Sequence, residues 1–122
     1  TGQYPARHRI HGHYAEHQQN EQRGMSNWLD PAVPNVASLL KSAGYATAHF
    51  GKWHMGGGRD VNDAPLPSSY GFDEHLVNFE GMGPRVEGPK HTWTQTYVDR
   101  SIDFIRRHKE RPFFLRLFPN DV

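Results

Sequence analysis

Between Gly44 and Gly56 the chain reads Gly-Tyr-Ala-Thr-Ala-His-Phe-Gly-Lys-Trp-His-Met-Gly. Two side chains in this run are equipped for chemistry. Lys52 offers a compact cation with three donors, suited to an oxyanion. His54, two residues on, donates a hydrogen bond or moves a proton near neutral pH. Gly51 permits a turn and the close approach of an anion. Trp53 is expected to point the other way and anchor the turn in the core. A generic Lys-x-His on a Gly-rich loop is a solvated lysine beside an incidental histidine. Here Gly51 and Gly56-Gly57-Gly58 gather around the two polar groups at the end of an apolar run, which favours a site. A phosphate-binding P-loop is excluded, because Ala46 stands where its first glycine belongs and Trp53 where its Ser or Thr belongs. A dinucleotide fingerprint fails too, since no helix opens directly after the glycines.

The remaining titratable groups make no such set. His8, His11, His13 and His17 include pairs spaced to share a metal on a helix. Gly12 interrupts that helix and no carboxylate or Cys completes the ligands, so the segment reads as a polar loop. Asp60, Asp63, Asp73, Glu74 and Glu80 are scattered acids. Gly71-Phe72-Asp73 reads as a turn with an apolar anchor, in which Asp73 caps or pairs. Asp99 and Asp103 lie one turn apart on a helix surface. Asn120-Asp121 is a paired acid-amide signature near the C-terminal end, and no metal ligand is assigned.

Elements must bring Lys52 and His54 to one place. Residues 1–33 are broken by Gly2, Pro5, Gly12, Gly24 and Pro31, and read as loop with one short helical turn. Residues 34–43 read as a helix, with Pro34 in its first turn and Val36, Leu39, Leu40 and Ala43 on its apolar face. Gly44 stands at the C′ position. Tyr45–Phe50 reads as a short buried strand ending at the sheet edge where open α/β sheets place ligands. Residues 59–91 read as one long irregular stretch. Thr92–Lys109 is the clearest helix, its apolar side formed by Tyr97, Ile102 and Ile105 with Val98, Ser101 and Phe104. Arg106, Arg107, His108 and Lys109 complement its dipole. Pro112 stops it, and Phe113–Phe118 reads as a strand buried on both faces. The order predicts an α/β fold of mainly parallel strands with flanking helices and long loops, residues 1–122 forming a single piece.

Composition narrows the function. With 14 Lys+Arg against 13 Asp+Glu, the net charge of +1 supplies no field for nucleic acid or an anionic membrane. Zero Cys removes disulfides, thiolate metal sites and thiol nucleophiles. Hydrophobic content of 35% in 122 residues gives one thin core and no membrane span. Thr1 is followed by no signal segment, and a strand closes the chain, so an internal piece of a longer protein is expected.

The run Gly44–Gly56 resembles the second signature of the sulfatase family, Gly-Tyr-x-Thr-x-x-x-Gly-Lys-Trp-His-x-Gly, without a break. Flanks agree: Thr1-Gly2-Gln3-Tyr4-Pro5 with Arg7-His8, the helix from Val36 to Ala43, Tyr70-Gly71-Phe72-Asp73, Ile102-Asp103-Phe104-Ile105 and Pro112-Phe113-Phe114-Leu115. Arg9 departs from the family's glycine. The resemblance implies part of an alkaline-phosphatase-like domain that hydrolyses sulfate esters through a formylglycine and a bound calcium ion. It implies that Lys52 contacts the sulfate and that His54 hydrogen-bonds the formylglycine hydroxyl, both serving catalysis. The formylglycine would lie upstream of Thr1 and the calcium ligands outside the chain, which alone is expected to be inactive. A His after Val122 is expected as a further sulfate ligand. A small-molecule or carbohydrate sulfate ester and the rest of the sulfatase chain are the implied partners. A periplasmic, secreted or lysosomal location is implied by the same resemblance. Two alternatives stand beside it. One is a phosphoesterase or phosphonate monoester hydrolase of the same superfamily. The other is a non-catalytic piece whose strands 45–50 and 113–118 pair with another chain.

Overall fold

The computed structural model describes residues 1–56, 64–78 and 86–119. Gly57, Gly58, Asp60, Asp63, Glu80 and the Asn120-Asp121 pair lie outside the described residues. Three strands, β1 (Ala46–Lys52), β2 (Glu74–Asn78) and β3 (Phe113–Phe118), form one sheet in the order β2-β1-β3. Both pairings are parallel, as the alternating element order predicts. β1 is fully buried up to Gly51, which its run of Ala, Thr, His and Phe explains: a central parallel strand is covered on both faces. One face packs Ala46, Ala48 and Phe50 against Tyr97 and Phe104 of helix α3 (Trp93–His108). The other face meets Trp53, Tyr70, Phe72, Leu29 and Ala37, the last from helix α2 (Val36–Ser42).

The chain departs from the sequence reading at several places. Residues 1–33 hold two helical pieces, a 3-10 turn Pro5–His8 and helix α1 (His17–Gln22). β2 lies inside the stretch read as irregular. β1 runs to Lys52, two residues past Phe50. α2 starts after an Asn35 cap, whose side chain accepts from the Ala37 and Ser38 amides, so Pro34 stays outside it. Its buried residue is Ala37, while Val36 and Leu39 are 56% and 61% exposed. The reason is a close approach: a Cβ on Gly71 would stand 2.5 Å from Ser38 Cα, so the small side of α2 faces the turn. In α3 the buried stripe is Tyr97, Ser101 and Phe104, and Ile102 and Ile105 face outward. β3 is half-buried, not buried on both faces, because it is the edge of the described sheet. β1, flanked on both sides, has no free edge for another chain.

α2 ends as the sequence predicts. Gly44, at φ +87°, donates to Lys41 C=O at 2.9 Å, and Tyr45 N–H donates to Leu40 C=O at 3.0 Å. This Schellman pair turns the chain from helix into β1.

Candidate functional site

β1 carries its last residue, Lys52, to the C-terminal edge of the sheet. Gly51 does not turn the chain there; it is inside the strand at φ +118°. A Cβ at Gly51 would stand 1.9 Å from Phe118 O, so β3 reaches this register only against a glycine. Gly56 closes the other end of the segment. It bridges Trp28, and a Cβ there would meet Trp28 Cα at 2.3 Å. Leu29 N–H also donates to Met55 C=O at 2.9 Å. The two glycines therefore let neighbouring backbones clamp Lys52-Trp53-His54-Met55 from both ends.

Within the clamp, burial alternates: Lys52 half-buried, Trp53 buried, His54 half-buried. Trp53 points inward as expected and packs on His49, Tyr70 and Phe72 with ring centroids 5.0, 5.4 and 5.8 Å away. His49, fully buried, has Nε2 3.1 Å from the Lys52 carbonyl oxygen. A carbonyl only accepts, so Nε2 carries the proton and donates to it. Burial, then the Arg116 guanidinium, pushes the His49 pKa down to about 4, which keeps this ring neutral at pH 7. Lys52 is thus held through its own backbone.

The start of β1 is latched to the Gly71-Phe72-Asp73 turn. The Thr47 hydroxyl donates to Gly71 C=O at 2.7 Å, and Thr47 N–H donates to Asp73 Oδ2 at 3.1 Å. Asp73 also pairs with Lys41 Nζ at 2.7 Å. Burial raises its pKa, but the hydrogen bonds from Lys41 and Thr47 outweigh that and hold the carboxyl below its ordinary value. Glu74, next along, takes both terminal guanidinium nitrogens of Arg107 at 2.7 Å. Those bonds lower its pKa. Asp73 therefore pairs and caps, as its turn suggested.

The N-terminal histidines are dispersed. His8 belongs to the 3-10 turn, His17 opens α1, and His11 bonds the Arg23 carbonyl at 3.0 Å. His13, however, lies edge-on to His54, ring centroids 4.7 Å apart, with Tyr14 5.8 Å from the same ring. In the sequence His13 reads as part of a polar loop. Its one signal was the neighbouring Tyr14, an aromatic in an otherwise polar run. At the sheet edge, Asn78 stands in register with Lys52, buried, with neither amide atom hydrogen-bonded. Among the described residues no group of three His, Asp or Glu side chains converges as a metal would require. With Asp73 and Glu74 committed to Lys41 and Arg107, the described residues do not fit a calcium cage. Among them, too, no helix is long and apolar enough to cross a membrane.

An N-acetylgalactosamine-6-O-sulfatase of Bacteroides thetaiotaomicron is 46% identical over 55 residues, 40% of this chain and 11% of that protein. The steryl-sulfatase of Mus musculus is 39% identical over 82 residues, 62% of this chain and 12% of that protein. An arylsulfatase of Hemicentrotus pulcherrimus is 34% identical over 128 aligned positions, 78% of this chain and 23% of that protein. The chain thus spans less than a quarter of the length of these relatives. The family model for sulfatases matches residues 1–121, across the clamped Lys52-to-Met55 segment and both layers around it, and the chain belongs to the sulfatase family.

Proposed function

We propose that this chain is the part of a sulfate-ester hydrolase that holds the sulfate end of the substrate, with Lys52 and His54 as its catalytic residues. The observation that carries the reading is the clamp. A lysine and a histidine, separated by a buried tryptophan, are fixed at the end of the central strand by two glycines that admit no side chain. The relatives are named for aminosugar, steryl and aryl sulfates, so the alcohol differs among them while the sulfate is common. The sulfate is the part that Lys52 and His54 are proposed to serve.

Lys52 binds the sulfate as a point charge. Negative charge shifts among the sulfate oxygens as the ester bond breaks, and a cation already in place stabilises that shift without reorganising. His54 holds or moves a proton at the hydroxyl of the attacking group, accepting on one ring nitrogen. A formylglycine, carried by the protein outside this chain, supplies that hydroxyl when present. Calcium, which the resemblance also implies, would take its ligands from outside the described residues. The substrate class is a small-molecule or carbohydrate sulfate ester, and the location is periplasmic, secreted or lysosomal.

The test is kinetic, on the full-length protein with 4-nitrophenyl sulfate. Lys52→Ala lowers kcat/KM by roughly 10²–10³, the scale of one lost oxyanion-stabilising group. His54→Ala lowers kcat by about 10²–10⁴. The 122-residue chain alone turns over nothing. A wild-type protein that cleaves phenyl phosphate but no sulfate ester would overturn the reading in favour of the phosphoesterase.

A further inference from the structure

We infer that His13 and Tyr14 are positioning residues that set the ring plane of His54. This rests on the catalytic role proposed for His54. Rotation of a histidine ring about its last torsion is broad and roughly two-fold, so the side chain does not choose its own plane. Proton transfer at a defined atom needs that plane fixed. Two rings bear on it here: His13, with ring planes 74° apart, and Tyr14, tilted at 54°.

The loop that brings them is built to hold still. Asn20, fully buried in α1, clamps Ala15, the residue after Tyr14, with both atoms of its amide. Its Oδ1 accepts from Ala15 N–H at 2.9 Å, and its Nδ2 donates to Ala15 C=O at 2.9 Å. Asn20 Nδ2 also donates to Asn27 Oδ1 at 3.2 Å, which ties the clamp to the segment before Trp28. Arg23 donates to the His13 carbonyl at 3.4 Å. Tyr14 is 7% exposed, and its hydroxyl is buried with no hydrogen-bond partner. Burying that hydroxyl unpaired is unfavourable, so the ring is set there by its surroundings and not by its polar end. His13 itself is exposed. An exposed ring adds little to the core, and among the described residues its ring contact is with His54. The arrangement is that of a support for His54, with Tyr14 as the buried strut and His13 as the outer one.

The full-length protein tests this with two readouts. With 4-nitrophenyl sulfate, His13→Ala lowers kcat about tenfold while KM stays within about twofold. His13→Phe, which keeps a ring but no donor, restores kcat to within about threefold of wild type. In protein carrying ¹³C-labelled histidine, the His54 ring resonance is identified by its loss in His54→Gln. That resonance broadens or splits in His13→Ala and is single again in His13→Phe. Unchanged kcat together with an unchanged resonance in His13→Ala would overturn the inference. So would a His13→Phe protein as slow as His13→Ala, because the imidazole donor and not the ring contact would then be at work. A wild-type protein without sulfatase activity, in which His13→Ala still moves the His54 resonance, would sink the functional reading and leave the positioning intact.

Discussion

Tyr14 and Tyr70 bring the same hydroxyl into two kinds of surroundings. The Tyr70 hydroxyl donates to Leu29 C=O at 2.6 Å and so fixes the segment whose Trp28 bridges Gly56. The Tyr14 hydroxyl is buried without a partner. Burial raises the pKa of both phenols, so each stays protonated in the working range. The difference predicts opposite outcomes for one chemical change. Tyr70→Phe leaves a buried carbonyl unpaired and costs about 1–3 kcal/mol. Tyr14→Phe removes a group that was already unpaired, and stability is unchanged or slightly increased. Urea midpoints of the two variants in the full-length protein check this, and equal losses would show that the Tyr14 hydroxyl has a partner after all.

Among the elements, β1 is central, and its two latches carry most of the site's geometry. Gly51 lets β3 pair in register, and Thr47 ties the strand to the turn before β2. Gly51→Ala drives a Cβ into Phe118 O and costs about 2–3 kcal/mol or more. Its effect is local, so hydrogen exchange in Phe113–Phe118 should speed up more than in α3. Thr47→Val keeps the shape and loses the hydroxyl bond, costing about 1–3 kcal/mol. Exchange that rises equally everywhere in Gly51→Ala would contradict the local account.

These latches also explain what the sequence let one read. β1 was legible because a strand buried on both faces is a continuous small and apolar run. The inward side of Trp53 was legible because a large apolar ring between two polar side chains at a strand end turns to the core. β2 was not, because Glu-His-Leu-Val-Asn has no alternation; its Glu74 is held by Arg107 from α3, a tertiary partner. The outward face of α2 was misread because Val36 and Leu39 look like a core stripe. The close approach of Gly71 hands the inner face to Ala37 instead. His13 was out of reach for a similar reason. Nothing near it in the chain says that an Asn20 clamp will lay it against a histidine from the other end of β1.

Across the whole molecule, one row of residues links all three strands and decides how it responds to acid. In the sheet register His49 stands opposite His75 on β2 and opposite Arg116 on β3. Three basic groups therefore cross the sheet side by side. His49 is pushed to about pKa 4 by burial first and Arg116 next, with His75 also contributing. Burial lowers His75 and Arg116 as well. Unfolding frees His49 to its ordinary pKa near 6.5, so between about pH 4 and pH 6.5 the unfolded chain binds more protons than the folded one. Stability is then greatest above pH 6.5, falls as pH drops through that window, and levels off for this residue below pH 4. The slope is at most about 1.4 kcal/mol per pH unit for one proton, and His75 adds in the same direction. Asp73 and Glu74, held low by their partners, act in the acid range beneath this window, where their ion pairs are lost. His49→Gln separates the two effects. Its amide still donates to the Lys52 carbonyl but does not titrate. Urea midpoints of the full-length protein, measured from pH 7.5 to pH 4, should fall for wild type and fall less steeply for His49→Gln, so that wild type loses ground on the variant as pH drops through this window. An identical slope in the two proteins would mean that the acid loss arises elsewhere and not at His49.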